Sequence, residues 1–357
     1  MSSSTLPSIV LAACVGAMLA PTSSAQTTVG ITSDRDNSLY QDVNGATSNG
    51  QGFLFCGLNG TGEIRRTLLH FDVAGNVPAG AVILSADLQL SVAQSNVAVP
   101  MNADVHRVLQ DWGEGASFVA GNGGAGAPAA PGDATWTMTF FGQPGALWNT
   151  AGGDFAAQPS FHFAMPPTGS VQTAPLPGLI ADVQAWFANP GQNFGWLLRL
   201  DEQAASTAHR INSRESASAR PTLRVSYLLP GATGTIGTGC PVGAGTFAVD
   251  FAGAAIGGTT VSILYHDAPQ SSVGVNFYSL GIDPIGAPLF ANCTVYLPLS
   301  LDIFPADLFP TDALGNGASA FVVPAGFPGQ LVSLQAAAID ATPLCISASN
   351  AAVMVLL

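Results

Sequence analysis

The sequence has no lysine, and no arginine follows Arg224, so the chain beyond that residue carries only acidic charge. Charged residues make up 9% of the chain, against roughly a quarter in typical soluble proteins. The formal net charge is −13, and a surface of this sign repels phosphate groups. We therefore expect neither nucleic acid nor an anionic membrane as a partner.

Motifs for nucleophilic or metal-assisted hydrolysis are also absent. The sequence has no G-x-S-x-G nucleophile elbow and no H-E-x-x-H zinc motif. Its histidines are scattered singly, and none of its four glutamates has a recognisable acid/base setting. Because the separation of two hydrolytic carboxylates is defined only in space, a glycan hydrolase or lyase stays open as an alternative. We expect a non-catalytic protein without a cofactor. Calcium is the one candidate ligand metal.

Cysteines are few and include no CxxC motif or Cys/His cluster, which argues against a zinc or redox site. With Cys14 set aside as part of an N-terminal export segment, Cys56, Cys240, Cys293 and Cys345 remain. We predict a Cys240 to Cys293 disulfide because both fall in the C-terminal part and Cys293 opens an alternating strand. Cys345 is the competing partner, and Cys56 is expected to be buried and reduced.

The only extended apolar run near a terminus is a stretch from Ile9 to Ala20, followed by Pro21 and the small residues Ser23-Ser24-Ala25. This pattern predicts a secretory signal peptide, residues 1–25, although its first residues lack the usual basic charge. No later apolar run is long enough for a membrane helix. We therefore expect a secreted protein, extracellular or at the cell surface, with no membrane insertion after the signal is removed.

Alternation of apolar and polar residues dominates the rest of the chain, most clearly from Leu84 to Val92. Such alternation predicts half-buried antiparallel strands. One segment instead has helical spacing, with Leu179, Val183 and Trp186 on one face and Pro177 near its start. The sequence predicts an all-β fold: a jelly-roll-like antiparallel β-sandwich with one short helix, followed by a second, smaller β-sandwich.

The length that remains after signal removal exceeds what one core usually organises, so two domains are expected. A Gly/Thr-rich run over residues 230–239 follows the last strand pattern of the first block and predicts a linker. The expected division is a first domain over 26–229, the linker over 230–239 and a C-terminal domain over 240–357. A glycine-rich segment, 113–132, has no periodicity and is longer than ordinary loops.

Several stretches of the first domain resemble the DNRLRE (disaggregatase-related repeat) family of extracellular β-sandwich modules. They lie in family order from 31 to 228 and comprise Asp36–Tyr40, Arg65–Asp72, Asp111–Gly115, Gly132–Trp136, Gly152–Phe155, Asn193–Trp196, Ser213–Glu215 and Arg220–Leu223. The resemblance implies a jelly-roll-like, carbohydrate-binding-module-like fold in an extracellular setting and does not imply catalysis. The C-terminal block looks like domains appended to bacterial secreted proteins.

The leading functional prediction is a secreted, non-catalytic protein whose first domain binds extracellular or cell-surface polysaccharide. The main alternative is a structural envelope, matrix or adhesion protein without a small ligand. Trp112 and Trp148 flank glycine-rich loops and are candidate stacking platforms for sugar rings, with burial in the core as the competing interpretation.

Arginines stand out because charge is scarce. Arg65, Arg66 and Arg214 could line a groove for an acidic sugar, or they could form buried arginine–carboxylate braces with Glu215 or Asp72. Of each adjacent charged pair, only one residue is expected to point inward, since neighbouring strand residues face opposite ways. We favour the brace.

A turn-rich stretch near the start of the first domain holds Asp34, Asp36 and Asp42. Their carboxylates are the kind of oxygen ligand that calcium prefers. The spacing does not match an EF-hand loop, and Asx turns and strand-end caps explain the same residues without a metal. Calcium at these three aspartates is therefore one of two interpretations.

Overall fold

The computed structural model of the chain describes residues 26–290, 292–299, 303–341 and 344–357. The predicted signal peptide, 1–25, lies outside them. Nearly all of the described secondary structure is β, and every strand pair is antiparallel, which confirms the all-β prediction. None of the helices in the described ranges is long and apolar enough to cross a membrane.

The first block of the chain forms thirteen strands and two helices. The strands are β1 Thr27–Thr32, β2 Arg35–Tyr40, β3 Thr47–Ser48, β4 Leu54–Leu58, β5 Ile64–His70, β6 Val82–Ser95, β7 Met101–Arg107, β8 Ala127–Pro128, β9 Phe161–Met165, β10 Gly169–Gln172, β11 Trp196–Arg199, β12 His209–Ile211 and β13 Thr222–Leu228. The helices are α1 Val73–Asn76 and α2 Pro177–Ala188, the latter followed by a 3₁₀ turn, Pro190–Gln192.

Eleven of these strands form one sheet, in the order β1-β13-β6-β12-β4-β5-β11-β7-β9, with β10 added to β6 and β2 added to β5. Since β4 pairs with both β12 and β5, it joins the two halves of the sheet, which curls around an apolar core. Alternate residues of β6 point into this core, as the sequence pattern predicts. Helix α2 packs Leu179, Val183 and Trp186 against the same core, as predicted.

A second, smaller core covers the outer face of β2, β5 and β11. Leu39, Leu68 and Leu197 point outward from these strands and are fully covered by Trp112, Trp136 and Trp148 from the long connections around them. Strand β5 is therefore buried on both faces. This corrects the expectation for the adjacent charged pair on β5, since Arg65 and Arg66 are both buried, at 3% and 9% exposure. The segment from Trp136 to Phe140 alternates apolar and polar residues in the way that predicts a strand, but it is irregular apart from an isolated bridge at Met138.

The C-terminal block is a smaller sandwich. Its strands are β14 Thr233–Ile236, β15 Pro241–Val242, β16 Gly245–Thr246, β17 Ala248–Ala252, β18 Thr260–His266, β19 Val273–Ser279, β20 Ala287–Phe290, β21 Cys293–Val295, β22 Phe304–Pro310, β23 Gly317–Val322, β24 Leu331–Ala341 and β25 Leu344–Val355. A five-stranded sheet, β14-β25-β24-β19-β22, faces a three-stranded sheet, β17-β18-β23, across an apolar core. Two short hairpins, β15–β16 and β20–β21, complete it.

The segment predicted to be a linker, 230–239, is not a free connection. Strand β14 lies within it and pairs with β25, with Thr233 opposite Met354. Ile236 and Leu228 pack with Leu84 of the first block and Val353 of the second in one buried cluster. The sequence conceals this strand because it is four residues long and three of the four are glycine or threonine, without apolar alternation.

The predicted disulfide is confirmed: Cys240 and Cys293 are bonded, with their Cα atoms 4.6 Å apart. Both are buried and pack beside Ala348. The bond ties the start of the second sandwich to the hairpin formed by β20 and β21. Cys56 is buried in the first domain with a free thiol, as expected, and burial raises its pKa strongly.

Candidate functional site

Three carboxylates from distant parts of the chain meet at one edge of the first domain. Asp36 lies on β2, Glu114 lies in the connection after β7, and Glu215 lies in the turn between β12 and β13. One carboxylate oxygen of each lies within 4.8 Å of the others. We call these residues the carboxylate cluster.

Arg214 links the members of the carboxylate cluster. Its Nε lies 2.6 Å from Oε1 of Glu114 and 2.9 Å from Oε1 of Glu215. Its backbone N–H donates to Oδ2 of Asp36 at 2.8 Å, and the Ser33 hydroxyl donates to the same oxygen at 3.0 Å. The backbone N–H of Asp36 in turn donates to Oε1 of Glu114 at 3.0 Å. The three segments are thus held together by charged and backbone hydrogen bonds.

The electrostatic environment disfavours ionisation of the innermost group. Asp36 is fully buried, and burial, reinforced by the negative charges of Glu215 and Glu114, raises its pKa well above the usual range. Burial also raises the pKa of Glu114, against the lowering effect of its hydrogen bond with Arg214. Within the described residues, Oδ1 of Asp36 and Oε2 of Glu215 are buried and have no hydrogen-bond partner.

The long glycine-rich segment, 113–132, is fixed against the strands. The Asn37 side-chain amide donates to the backbone carbonyl of Glu114 at 2.9 Å, and the Ser48 hydroxyl donates to the side-chain oxygen Oδ1 of Asn37 at 3.0 Å. Gly113 is required because a Cβ there would lie 1.8 Å from the carbonyl oxygen of Gly132. The segment is therefore a packed part of the domain that positions Glu114.

A second feature of the first domain is a polar cleft of about 130 Å³. Its polar lining consists of four amide side chains, two arginines and two serines, namely Asn59, Gln94, Asn96, Asn122, Arg65, Arg210, Ser95 and Ser206, and we call it the amide cleft. Its lining contains no Asp or Glu. Gln94, Asn96 and Asn122 are exposed, so their amide groups are accessible to a ligand.

The amide cleft is close to a second groove of about 250 Å³, which is lined by Phe53, Phe118, Gln51, Ser213, Glu215 and Ser216. Arg210 connects the two, since its guanidinium lies 4.5 Å from the ring centre of Phe53 and 3.5 Å from the Asn122 side-chain oxygen. Phe118 is 61% exposed. Together the two grooves offer amides, a cation and apolar rings on one surface.

The predicted sugar platforms are not on that surface. Trp112 is fully buried and Trp148 is 5% exposed. Their indole N–H groups donate to the carbonyls of Phe194 and Thr135, at 2.8 and 2.9 Å. Both rings cover the apolar outer face of β5, so the expectation that they present ring faces to solvent is wrong.

The arginines singled out by the sequence form braces with carboxylates. Arg66 makes a bidentate pair with Glu202, at 2.8 and 2.9 Å. Arg214 pairs with Glu114 and with Glu215, the latter as expected. Asp72 does not serve as a brace and instead caps α1 by accepting from the backbone N–H of Gly75.

Arg65 fits both interpretations of the arginines, since it pairs with a carboxylate and also lines a cleft. Its Nη2 lies 3.0 Å from Oε2 of Glu63, and its guanidinium stacks 4.7 Å from the ring centre of Tyr40. It also forms part of the wall of the amide cleft. Arg214 lies in the carboxylate cluster instead and does not line the amide cleft. The two arginines therefore do not share a single basic groove.

The structure does not bring Asp34, Asp36 and Asp42 together. Asp34 pairs with Nδ1 of His70 at 2.7 Å, and Asp42 accepts from the backbone N–H groups of Asn44 and Gly45 in a turn. Strand β2 runs between them and separates its two ends by roughly 20 Å. The predicted metal set is therefore wrong as a set, and only Asp36 belongs to a carboxylate cluster.

Sequence reasoning missed Glu114 and Glu215 as partners of Asp36. The available signal was the scarcity of glutamate, because a chain with only four glutamates is expected to give each of them a partner. In the structure all four pair with arginines, at Glu63, Glu114, Glu202 and Glu215. Both missed residues also lie in stretches that carry the family resemblance, Asp111–Gly115 and Ser213–Glu215.

Comparison of the chain with protein-family models found no match, and comparison with curated proteins found no similar sequence. The resemblance to DNRLRE modules stays a prediction.

Proposed function

We propose that this is a secreted, non-catalytic protein whose first domain binds extracellular or cell-surface polysaccharide at the amide cleft. The observation that carries the proposal is the composition of that cleft. Four amides and two arginines line it without a carboxylate, in a chain whose formal net charge is −13.

Polysaccharides present hydroxyl groups that both donate and accept hydrogen bonds. Exposed amide side chains such as Gln94 and Asn96 match them because each offers two N–H donors and a carbonyl acceptor. The Asn59 amide is instead engaged by Glu63 and Thr61. Arg210 adds charged donors, and its position against Phe53 leaves its guanidinium oriented before a ligand arrives. The exposed ring of Phe118 nearby suits the apolar faces of sugar rings.

Secretion is supported by two features. The N-terminal residues have the pattern of a signal peptide, and the second sandwich holds a disulfide, a bond typical of oxidising compartments. The second domain has no arginine or lysine, and we assign it the role of an attachment or spacer module.

The carboxylate cluster does not favour the hydrolase alternative. Glycosidase carboxylates are separated by about 5 to 9.5 Å, with one free to donate a proton to the leaving oxygen. Here Arg214 holds Glu114 and Glu215 in ion pairs, and Asp36 is fully buried.

The test is a glycan array and titration calorimetry on the purified protein and on two variants. Arg210→Met removes the charged donors and keeps an apolar stem against Phe53, so we expect about 10-fold to 100-fold weaker binding. Arg224→Met is the matched control. Arg224 lies opposite Asp87 on β6, seven residues from Gln94, which is roughly 20 Å along the strand.

Binding that survives Arg210→Met, or that weakens equally in Arg224→Met, would contradict the placement of the binding site at the amide cleft. The absence of any glycan ligand would favour a structural or adhesion role. Release of reducing sugar from a bound glycan would favour the hydrolase.

A further inference from the structure

We propose that Asp36, Glu114 and Glu215 form a calcium site that joins three segments of the first domain. The site is independent of the amide cleft. It differs from the set expected from the local sequence, because two of its three residues come from loops distant in the chain.

The geometry fits a calcium ion. Calcium–oxygen distances are about 2.3 to 2.6 Å, so two ligands on opposite sides of one ion are separated by up to about 5 Å. The cluster oxygens lie within 4.8 Å of one another. Magnesium dehydrates reluctantly and is usually held by only one or two carboxylates, so three converging carboxylates favour calcium. All three ligands are carboxylates, and carboxylate oxygens suit calcium better than they suit zinc.

An unpartnered oxygen on the fully buried member of the cluster is the second observation. Asp36 is fully buried, and its Oδ2 already accepts from Ser33 and Arg214. Its Oδ1 is buried without a hydrogen-bond partner in the described part of the chain. A buried, unpartnered carboxylate oxygen costs free energy unless a cation or a proton satisfies it.

The local charge favours a divalent cation. If all three carboxylates are ionised, the single guanidinium of Arg214 leaves two negative charges uncompensated, and it is this excess, together with burial, that disfavours ionisation of Asp36 in the absence of a cation. The neighbouring Arg35 does not supply the balance, because it pairs with Asp111 at 2.9 Å and stacks on Trp112.

The cluster is accessible from one side. The side chains of Glu114 and Glu215 are 12% and 23% exposed, and Glu215 lines the groove beside Phe118. An ion can therefore enter from this groove, and water can supply the further oxygen ligands that calcium needs. Asp36 forms the closed end of the site.

The experiment uses the purified protein, first freed of metal with a chelator, and calcium chloride as the probe. We expect calorimetry to give one calcium per chain. Tryptophan fluorescence should report a melting temperature higher by about 5 °C or more at a hundredfold excess over the dissociation constant. Magnesium should give a smaller shift at the same concentration, and an equal shift would overturn the calcium assignment.

Isosteric variants locate the site. Asp36→Asn should abolish the calcium-dependent shift, whereas Asp34→Asn and Asp42→Asn, the matched controls on either side of it, should retain it. If Asp36→Asn does not fold, Glu215→Gln takes its place, with circular dichroism to establish folding, and should weaken calcium binding at least tenfold.

The proposal is overturned if calcium and chelator give identical melting curves, or if calcium binds Asp36→Asn or Glu215→Gln as tightly as the parent protein. A melting temperature that is insensitive to calcium but raised by Asp36→Asn would identify a proton as the balancing group.

Discussion

The buried pair of Arg66 and Glu202 provides the sharpest test of how the first domain is stabilised. The change is Arg66→Met, which keeps the apolar volume of the stem and removes the guanidinium. Arg66 contacts Glu202 through two hydrogen bonds and donates to the carbonyl of Gly152 at 2.7 Å. Its guanidinium also lies 5.0 Å from the ring centre of Trp136.

The expected loss is about 3 to 5 kcal/mol, because removing one partner leaves an uncompensated buried charge. The Glu202 side chain is 7% exposed, so water cannot replace the lost donors. Arg199 retains one contact with Glu202 at 3.1 Å, which places the expected value near the lower end. The double change Arg66→Met with Glu202→Gln should cost less than the sum of the two single changes, since it removes the buried charge.

Urea unfolding followed by tryptophan fluorescence measures this loss. All five tryptophans lie between Trp112 and Trp196, so the signal reports on the first domain alone. The control is Asp111→Asn, which breaks the more exposed pair with Arg35 and should cost at most about 1 kcal/mol. The loss in Arg66→Met should persist in 1 M NaCl, whereas the control loss should vanish.

A loss below about 1 kcal/mol for Arg66→Met, or one no larger than that of Asp111→Asn, would refute the assignment of Arg66 as a buried brace. A changed slope of unfolding free energy against urea concentration would show that the denatured state had changed instead.

Two further predictions concern the disulfide and a buried histidine. Replacing both Cys240 and Cys293 by Ala should destabilise the second domain by about 4 kcal/mol on the chain-entropy estimate, given their separation of 53 residues. Differential scanning calorimetry should show this loss as a lower melting temperature of that domain, and an unchanged melting temperature would contradict it. His209 is fully buried with Nδ1 2.8 Å from the carbonyl oxygen of Thr207, and burial lowers its pKa. The stability that neutral His209 contributes is therefore complete above the unfolded pKa of about 6.5 and is lost as the pH falls below that value. Between pH 7 and pH 5 the stability of the first domain should fall less in His209→Gln than in the parent protein, and equal slopes would exclude His209 as the titrating group.

Much of the fold could be predicted because it depends on local patterns. Alternation over Leu84 to Val92 identified the core face of β6, and helical spacing identified α2. These periods are set by the backbone geometry of each element. The disulfide was also predictable, because both cysteines belong to one small domain and Cys293 starts a strand.

Two features of the fold could not be predicted from local patterns. Trp112 and Trp148 lie in irregular segments, so no period showed that they cover β5. Strand β14 has almost no side-chain pattern and is defined by its pairing with β25.

The sequence by itself determined the β class, the core faces of the longer strands, the helix α2 and the negative charge, since each follows from composition or from a short-range period. Only the tertiary structure decided that Asp36 meets Glu114 and Glu215, while Asp34 and Asp42, its near neighbours in sequence, lie elsewhere. The reason is that an extended strand carries neighbouring residues apart, whereas curling of the sheet and packing of the long loop bring distant ones together.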